Sequence, residues 1–391
     1  MPLFKKRTYL DYASATPVLK QALDAVYKAS SVFANPGGIH ADSVHAKKLL
    51  EDSRAHIAAH LGCKAREIIF TSGLTEGNNI AIVGAARSLE RARRTLSGTH
   101  WIVSSIEHSS VLECFAEIER LGGSVTHVEP DERGNISAEG IARALKKETV
   151  FVSVGWANNE IGIIQPLSQI ARAIRAHEKK HRTRVLLHSD GGQGPLYISP
   201  QVHTLGVDLF TLGSGKLYGP RGIGLLYVGA NTDLASPFLG GGQERGLRSG
   251  TEEVALAAGF ATAFDLIEGE RTKEVIRLKK IRDDFAHGIS TLIPGAIING
   301  NLKHALPHML NISIPGDKSG EYLVLRLDHF GISISTRSTC REGEAASHVV
   351  AALGGPDWRA KNTLRFSLGR DTRKGDIVSA LSALSRLVAQ G

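Results

Sequence analysis

A lysine and an aspartate stand at positions in the sequence where chemistry would be possible. Asp190 follows the apolar run Val185–Leu187, and Lys216 lies in a glycine-rich turn after a second apolar run, Asp208–Leu212. In a parallel sheet, both side chains would reach the crevice at the carboxyl ends of the strands. A lysine amine can form a Schiff base and a carboxylate can keep a pyridine nitrogen protonated, which is the pairing that pyridoxal phosphate requires. The alternative interpretation is a surface lysine in a loop.

The elements that must position these two residues alternate along the chain. Apolar runs that predict strands recur between segments with helical periodicity, at 67–70, 101–104, 125–128, 150–154, 185–187, 208–212 and 222–228. This alternation predicts an α/β fold, in which a mostly parallel sheet is covered by helices. We expect a large cofactor-binding domain at 15–260, with 1–14 and 261–391 forming a smaller α+β domain. The pair Thr16-Pro17 predicts the start of a helix that runs to about Ser30.

A second candidate site element is the turn T-S-G-L-T-E-G-N-N, which follows the first predicted strand of the sheet. There the chain passes through Gly73 into a helix whose first backbone N–H groups are free and carry the positive end of the helix dipole. If this end faces the crevice, Leu74 and Thr75 are candidates to bind the phosphate of the cofactor. A strand, a glycine and a helix in succession are common, so this signal gains weight only beside Lys216.

The segment S-D-G-G-Q-G…L-G-S-G-K-L-Y-G-P-R-G-I-G (189–224) resembles the lysine region of the cysteine desulfurases. These are class V aminotransferase-like, fold-type I pyridoxal phosphate enzymes. Further matches run from Y-L-D-Y at 9–12 to L-R-F-S-L-G-R at 364–370. The resemblance implies a fold-type I transferase that converts L-cysteine into L-alanine. The sulfur would pass to an enzyme cysteine as a persulfide, and then to an acceptor protein for iron–sulfur cluster assembly or for thiolation of a cofactor or RNA.

The resemblance also implies how the cofactor is held. His108 matches a histidine that stacks on the ring and moves protons, while Asn159 and Gln193 match residues that contact the ring oxygen. Thr251 matches a residue that reaches the phosphate of the neighbouring subunit, so a homodimer is implied. Thr251 ends the loop G-G-G-Q-E-R-G-L-R-S-G-T. Because this loop has no core to form, we expect it to be flexible unless it meets another surface.

Two residues match substrate contacts of the family. Asn35 lies in a turn, N-P-G-G, and matches an asparagine near the substrate carboxylate. Arg365 matches the arginine that binds this carboxylate through two parallel hydrogen bonds. This bidentate contact needs a planar guanidinium, so lysine is a poor substitute.

The three cysteines differ in setting. Cys340 lies in the polar segment S-T-R-S-T-C-R-E-G-E, where nearby arginines favour the thiolate, and it matches the persulfide cysteine of the family. Cys63 and Cys114 lie in apolar helical patterns, where a cysteine usually packs as a small hydrophobic residue. We therefore expect Cys340 to be the reactive thiol and predict neither a metal site nor a disulfide framework.

The chain departs from the family pattern around the cofactor. Gly213 and Gly215 replace a serine and a histidine that usually precede the lysine, Gly191-Gly192 replaces Ala-Thr after Asp190, and Arg337 replaces a glycine in the cysteine segment. Each lost phosphate donor should weaken cofactor binding by about 0.5–1.5 kcal/mol unless another group substitutes. Ser214 is the expected substitute.

Composition restricts the setting of the protein. Lysine and arginine number 47 against 39 acidic residues, a net charge of +8, but the basic clusters lack interleaved aromatics. We therefore expect no direct binding to nucleic acid. No run of eighteen apolar residues and no signal peptide occurs, which predicts a cytoplasmic protein without a membrane segment.

Two other functions stay open at this stage. A selenocysteine lyase or another pyridoxal phosphate β-lyase on this fold would release its product without using Cys340. A catalytically degenerate homologue that serves as a binding scaffold is the other possibility, since the phosphate-binding residues are altered.

Overall fold

The computed structural model describes residues 7–93, 95–336 and 346–389. Its strands are β1 (Thr8–Tyr9), β2 (Ile68–Thr71), β3 (His100–Ser104), β4 (Ser124–Val128), β5 (Thr149–Ser153), β6 (Leu186–Asp190), β7 (Leu209–Gly213), β8 (Gly224–Val228), β9 (Ile297–Ile298), β10 (Met309–Ser313), β11 (Ile332–Ser333) and β12 (Thr363–Ser367). Its helices are α1 (Lys20–Ala29), α2 (Ala41–Leu61), α3 (Leu74–Arg93), α4 (Ser109–Arg120), α5 (Ala138–Ala144), α6 (Leu167–His181), α7 (Val202–Leu205), α8 (Val254–Leu292), α9 (Gly320–His329), α10 (His348–Ala352), α11 (Asp357–Lys361) and α12 (Lys374–Ala389).

The large sheet has seven strands in the order β2-β8-β7-β6-β5-β3-β4. The five strands from β7 to β4 are parallel, whereas β8 runs antiparallel to both of its neighbours. Successive residues of one strand enter opposite cores: Trp101 packs with α4 on one face, and Ile102 packs with α6 on the other. Because both faces are covered, nearly every residue of the inner strands β3, β5, β7 and β8 is buried, as expected for a sheet packed between helices. The predicted α/β architecture is confirmed.

A smaller α+β unit follows, as predicted. It contains the antiparallel sheet β12-β10-β9 and the parallel pair β1 and β11. Its core includes Phe285 of α8 and Phe366 of β12. Helix α8 contributes to the core of the large sheet as far as Ile267 and to the second core from Leu278 onward. The domain limits, 15–260 against 1–14 and 261–391, stay a prediction.

The start of the first helix was predicted wrongly. Helix α1 begins at Lys20, and Thr16 does not cap it. The Thr16 hydroxyl instead donates to the carbonyl of Gly215 (3.0 Å) and accepts from the N–H of Tyr218 (2.8 Å). The segment before α1 is therefore used to support the turn that carries Lys216.

In the small unit, the short helix α10 (His348–Ala352) is followed by α11 (Asp357–Lys361), which precedes β12. Across the described part of the chain, no helix is both long enough and apolar enough to span a membrane.

Candidate active site

A cavity of about 440 Å³ opens at the carboxyl ends of the parallel strands. Four neighbouring strands contribute a lining residue at or just after their ends: Ser104 at the end of β3, Gly155 after β5, Asp190 at the end of β6 and Gly213 at the end of β7. This is the crevice that the strand pattern predicted. It brings together eight of the predicted site residues: Leu74, Thr75, His108, Asn159, Asp190, Gln193, Lys216 and Arg365.

Lys216 ends a short 3₁₀ turn, Ser214–Lys216, directly after β7. Its amine donates hydrogen bonds to the carbonyl oxygens of Ala13 (2.7 Å) and Ser14 (2.6 Å). Gln193 donates to the same Ala13 carbonyl (3.0 Å). The segment before α1 thus forms one wall of the cavity, and it holds the lysine amine at the surface of that cavity.

Asp190 has one N–H donor for each carboxylate oxygen. The backbone N–H of Gly192 donates to Oδ1 (2.9 Å), and the side-chain amide of Asn78 donates to Oδ2 (2.8 Å). An ionised carboxylate only accepts hydrogen bonds, so two donors match the charged form. The remaining lone pairs are available to a protonated nitrogen in the cavity.

The first turn of α3 forms another wall, because Gly73, Leu74 and Thr75 all line the cavity. The first four N–H groups of a helix have no partner within the helix, so this end is suited to an anion. Glu76, which would repel an anion there, is paired with Arg248 (3.0 Å). A lysine amine, a carboxylate and an anion-binding helix end in one cavity form a donor set that fits pyridoxal phosphate.

His108 is the N-cap of α4. Its Nδ1 accepts a hydrogen bond from the N–H of Ser110 (3.1 Å), so in the neutral ring the proton is on Nε2. Burial lowers the pKa of His108, which favours this neutral form at pH 7.

Arg365 projects from β12 of the small unit and is 2% exposed. Its guanidinium donates to Asp11 (2.9 Å), to the hydroxyl of Ser14 (2.6 Å) and to the carbonyl of Asn159 (2.8 Å). Its Nε has no hydrogen-bond partner in the part of the chain that the structure describes. These contacts fix the orientation of the guanidinium, which suits it to bind a carboxylate.

Four predicted site residues are not brought into this cavity by the described protomer. Ser214 is buried, and its hydroxyl has no partner within the described ranges. Thr251 is exposed, and so is Asn35, whose side chain accepts from the N–H of Gly37 (2.8 Å). Cys340 lies outside the described residues, as do Arg337 and Arg341. The roles of these four residues remain predictions, as do the roles of the eight that line the cavity.

Leu74 explains two of the departures from the family pattern. A Cβ atom at Gly213 would lie 2.9 Å from Cγ of Leu74, and one at Gly192 would lie 2.8 Å from its Cδ1. Both distances are below normal contact. The leucine side chain therefore occupies the space that larger residues at these two positions would need.

Sequence reasoning did not assign two polar residues beside the cavity. Asn78 lies in α3 and is fully buried. Glu107, which lines the cavity, accepts from the N–H of Gly155 (2.8 Å) and from the hydroxyl of Ser104 (2.7 Å). Burial raises the pKa of Glu107 to about 7. The one signal for Glu107 in the sequence is a carboxyl group shortly after the buried strand β3, which ends at Ser104.

The two described cysteines lie apart from the cavity lining. Cys114 is buried in α4, and Cys63 is half-buried after α2. Burial raises the pKa of each thiol to about 12. Both are therefore poor nucleophiles at neutral pH, in agreement with the packing role expected for them.

Comparison with known proteins identifies the family of the chain. The profile of the Aminotransferase class-V family matches residues 8–379, so the chain belongs to that class. Within it, the chain belongs to the cysteine desulfurase family. It is 36% identical to the cysteine desulfurase IscS of Dictyoglomus turgidum, over 98% of this chain and 95% of the relative.

Two solved structures show the same relationship. A NifS-like protein superimposes with a TM-score of 0.90 at 30% identity, covering 99% of this chain and 100% of that one. SspA, solved in complex with cysteine, superimposes with a TM-score of 0.78 at 30% identity, covering 92% of this chain and 98% of SspA.

Proposed function

We propose that the protein is a pyridoxal phosphate-dependent cysteine desulfurase of the cytoplasm. The observation that carries the proposal is that Lys216, Asp190 and Arg365 line one cavity, although they come from two sheets. Membership of the family, and the cysteine complex of SspA, support L-cysteine as the substrate.

Pyridoxal phosphate would supply the electron sink for the reaction. Lys216 would hold it covalently and, once released, move protons at the substrate carbon. Asp190 would keep the ring nitrogen protonated, and the first turn of α3 with Thr75 would bind the phosphate. Arg365 would orient L-cysteine by its carboxylate.

Cys340 would accept the sulfur. Its thiolate attacks the sulfur atom of L-cysteine, and a new S–S bond forms while the substrate C–S bond breaks. The electron pair of that bond stays with the carbon, which takes up a proton to become L-alanine. The persulfide on Cys340 would then pass its outer sulfur to an acceptor protein, such as a scaffold or a sulfur carrier.

A homodimer would complete the site. Three large apolar side chains are almost fully exposed in one protomer: Tyr27 (85%) in α1, and Phe33 (91%) and Ile39 (97%) in the segment between α1 and α2. Exposed apolar residues in such number favour a protein interface. Thr251 would then reach the phosphate site of the other subunit.

The test is L-alanine formation from L-cysteine, with mass spectrometry to locate the persulfide. Cys340→Ser should retain the visible absorption of the bound cofactor but form no alanine, whereas Cys63→Ser and Cys114→Ser should remain active. Lys216→Ala should lose the covalent link to the cofactor.

Two results would contradict the proposal. Undiminished alanine formation by Cys340→Ser would favour a lyase that does not use this thiol. A wild type that takes up no pyridoxal phosphate would favour a scaffold.

A further inference from the structure

Asn78 connects the cavity with a chain of buried polar side chains that the proposed reaction does not use. Its amide nitrogen donates to Oδ2 of Asp190 (2.8 Å) and to the hydroxyl of Ser110 (2.9 Å). Its amide oxygen accepts from the hydroxyl of Thr211 (2.6 Å). Asn78 and Thr211 are both fully buried. Both N–H groups of the amide are therefore used, and its orientation is fixed from three sides.

The direction of the hydrogen bonds follows from the carboxylate. Asp190 has no proton to donate when ionised, so the NH₂ group of Asn78 must face it and the oxygen must face Thr211. The Thr211 hydroxyl gives its proton to Asn78, so it accepts from Nε2 of His188 (3.0 Å). The other ring nitrogen of His188 then accepts from the hydroxyl of Ser153 (2.9 Å).

A neutral His188 is required for this pattern, because each ring nitrogen has a different role. The ring is fully buried, and burial lowers the pKa of His188 to about 4, so it carries one proton at pH 7. Every donor from Ser153 to Asn78 consequently points toward Asp190. Hydrogen bonds aligned in one direction strengthen one another in a buried setting.

We infer that Asn78 is a positioning residue, held by Thr211 and His188, which orients the Asp190 carboxylate toward the cofactor nitrogen. The inference rests on the proposed function, because it concerns the contact between Asp190 and pyridoxal phosphate. The second N–H of Asn78 donates to the Ser110 hydroxyl, which lies 2.9 Å from Nδ1 of His108, so Asn78 also helps to position His108. One amide thus links two of the side chains expected to contact the ring, Asp190 and His108.

The chain offers a matched control for a test. His100 is also fully buried, with Thr149 at one ring nitrogen and Thr126 at the other, both at 2.8 Å. Burial lowers its pKa to about 4, as it does for His188. His100 begins β3, at the opposite end of that strand from Ser104 in the cavity. Thr126→Val therefore removes a similar histidine contact away from the site.

The experiment measures the dissociation constant of pyridoxal phosphate and the visible absorption spectrum of the bound cofactor. Thr211→Val keeps the side-chain shape but removes the proton that orients Asn78. We expect its dissociation constant to rise about 2- to 10-fold with a shifted absorption maximum, and Asn78→Ala to raise it about 10- to 100-fold. Thr211→Ser retains the hydroxyl and should restore both properties. Thr126→Val should leave both unchanged.

The outcomes separate this role from the proposed function. Unchanged cofactor binding and spectrum in a folded Thr211→Val would overturn the role of Asn78 alone, as would equal losses in Thr126→Val. A wild type that takes up no pyridoxal phosphate would refute the proposed function and this role with it. Should the variants not fold, ¹⁵N NMR of the unloaded wild type decides. A proton on Nε2 of His188 supports the proposed direction of the hydrogen bonds, and a proton on Nδ1 overturns it.

Discussion

Glu244 and Arg54 form a bidentate ion pair, with N–O distances of 2.7 and 2.8 Å, whose side chains are only 2% and 8% exposed. The Glu244 carboxylate also accepts the backbone N–H of Phe70 in β2 (2.8 Å). Glu244 lies in the middle of the loop Gly240–Thr251. The loop was expected to be flexible unless it meets another surface, and at this point it does meet one, formed by α2 and the edge strand β2.

Breaking this pair should be costly. Glu244→Gln leaves the Arg54 guanidinium without its buried counter-charge, since its other carboxylate partner, Glu51 (3.1 Å), is half exposed. We expect a loss of up to about 3–5 kcal/mol in the free energy of unfolding, measured by urea denaturation. Asp24→Asn breaks the exposed pair with Lys20 (side chains 60% and 84% exposed) and should cost at most about 1 kcal/mol. Similar small losses in both variants would show that the pair does not anchor the loop.

Leu74 and Gly213 should behave as an interdependent pair. Gly213→Ser alone places a Cβ atom 2.9 Å from Cγ of Leu74, and the resulting overpacking should cost about 1–3 kcal/mol of stability. Leu74→Ala removes the obstacle, so the double variant should be more stable than the sum of the single changes predicts. A double-mutant cycle measured by denaturation checks this. Additive losses would mean that Leu74 does not occupy the space that a larger side chain at position 213 would need.

Glu107 should make stability depend on pH. Burial raises its pKa from 4.5 to about 7, so the folded chain binds the proton more tightly than the unfolded chain. Stability should therefore fall as the pH rises through this window. Glu107→Gln lacks the effect, so its unfolding free energy relative to wild type should increase by about 2 kcal/mol from pH 5 to pH 8. Exposed Glu132→Gln is the control, and the same increase there would refute the assignment.

The exposed apolar residues should support the dimer. Phe33→Glu places a charge on a side chain that is 91% exposed in one protomer, so it should shift sedimentation from dimer to monomer without lowering monomer stability. Leu325→Glu, at a side chain 70% exposed in α9 of the small unit, should leave the dimer intact. A monomeric wild type, or a dimer unaffected by Phe33→Glu, would contradict the proposed interface.

The strand pattern of the sequence predicted the sheet and the crevice, because both depend on local periodicity. It therefore placed Asp190 and Lys216 correctly at strand ends. The role of Asn78 was not predicted, because its partner Asp190 is 112 positions away in the chain and a polar residue within a helix usually faces solvent. Thr16 was misassigned because the pair Thr-Pro is only a local signal for a helix start. The Thr16 hydroxyl instead bonds to the turn at Gly215, which is distant in sequence and is brought close by the fold.

Helix α8 has 39 residues and is continuous, with a length of about 58 Å. Its two ends are buried in different cores, so this continuous helix connects the two cores without a hinge. Any movement of Arg365 relative to Lys216 would have to bend this helix or arise in other segments that connect the two units. Hydrogen exchange along 254–292 should accordingly be slow and uniform, without a fast-exchanging joint between Ile267 and Leu278.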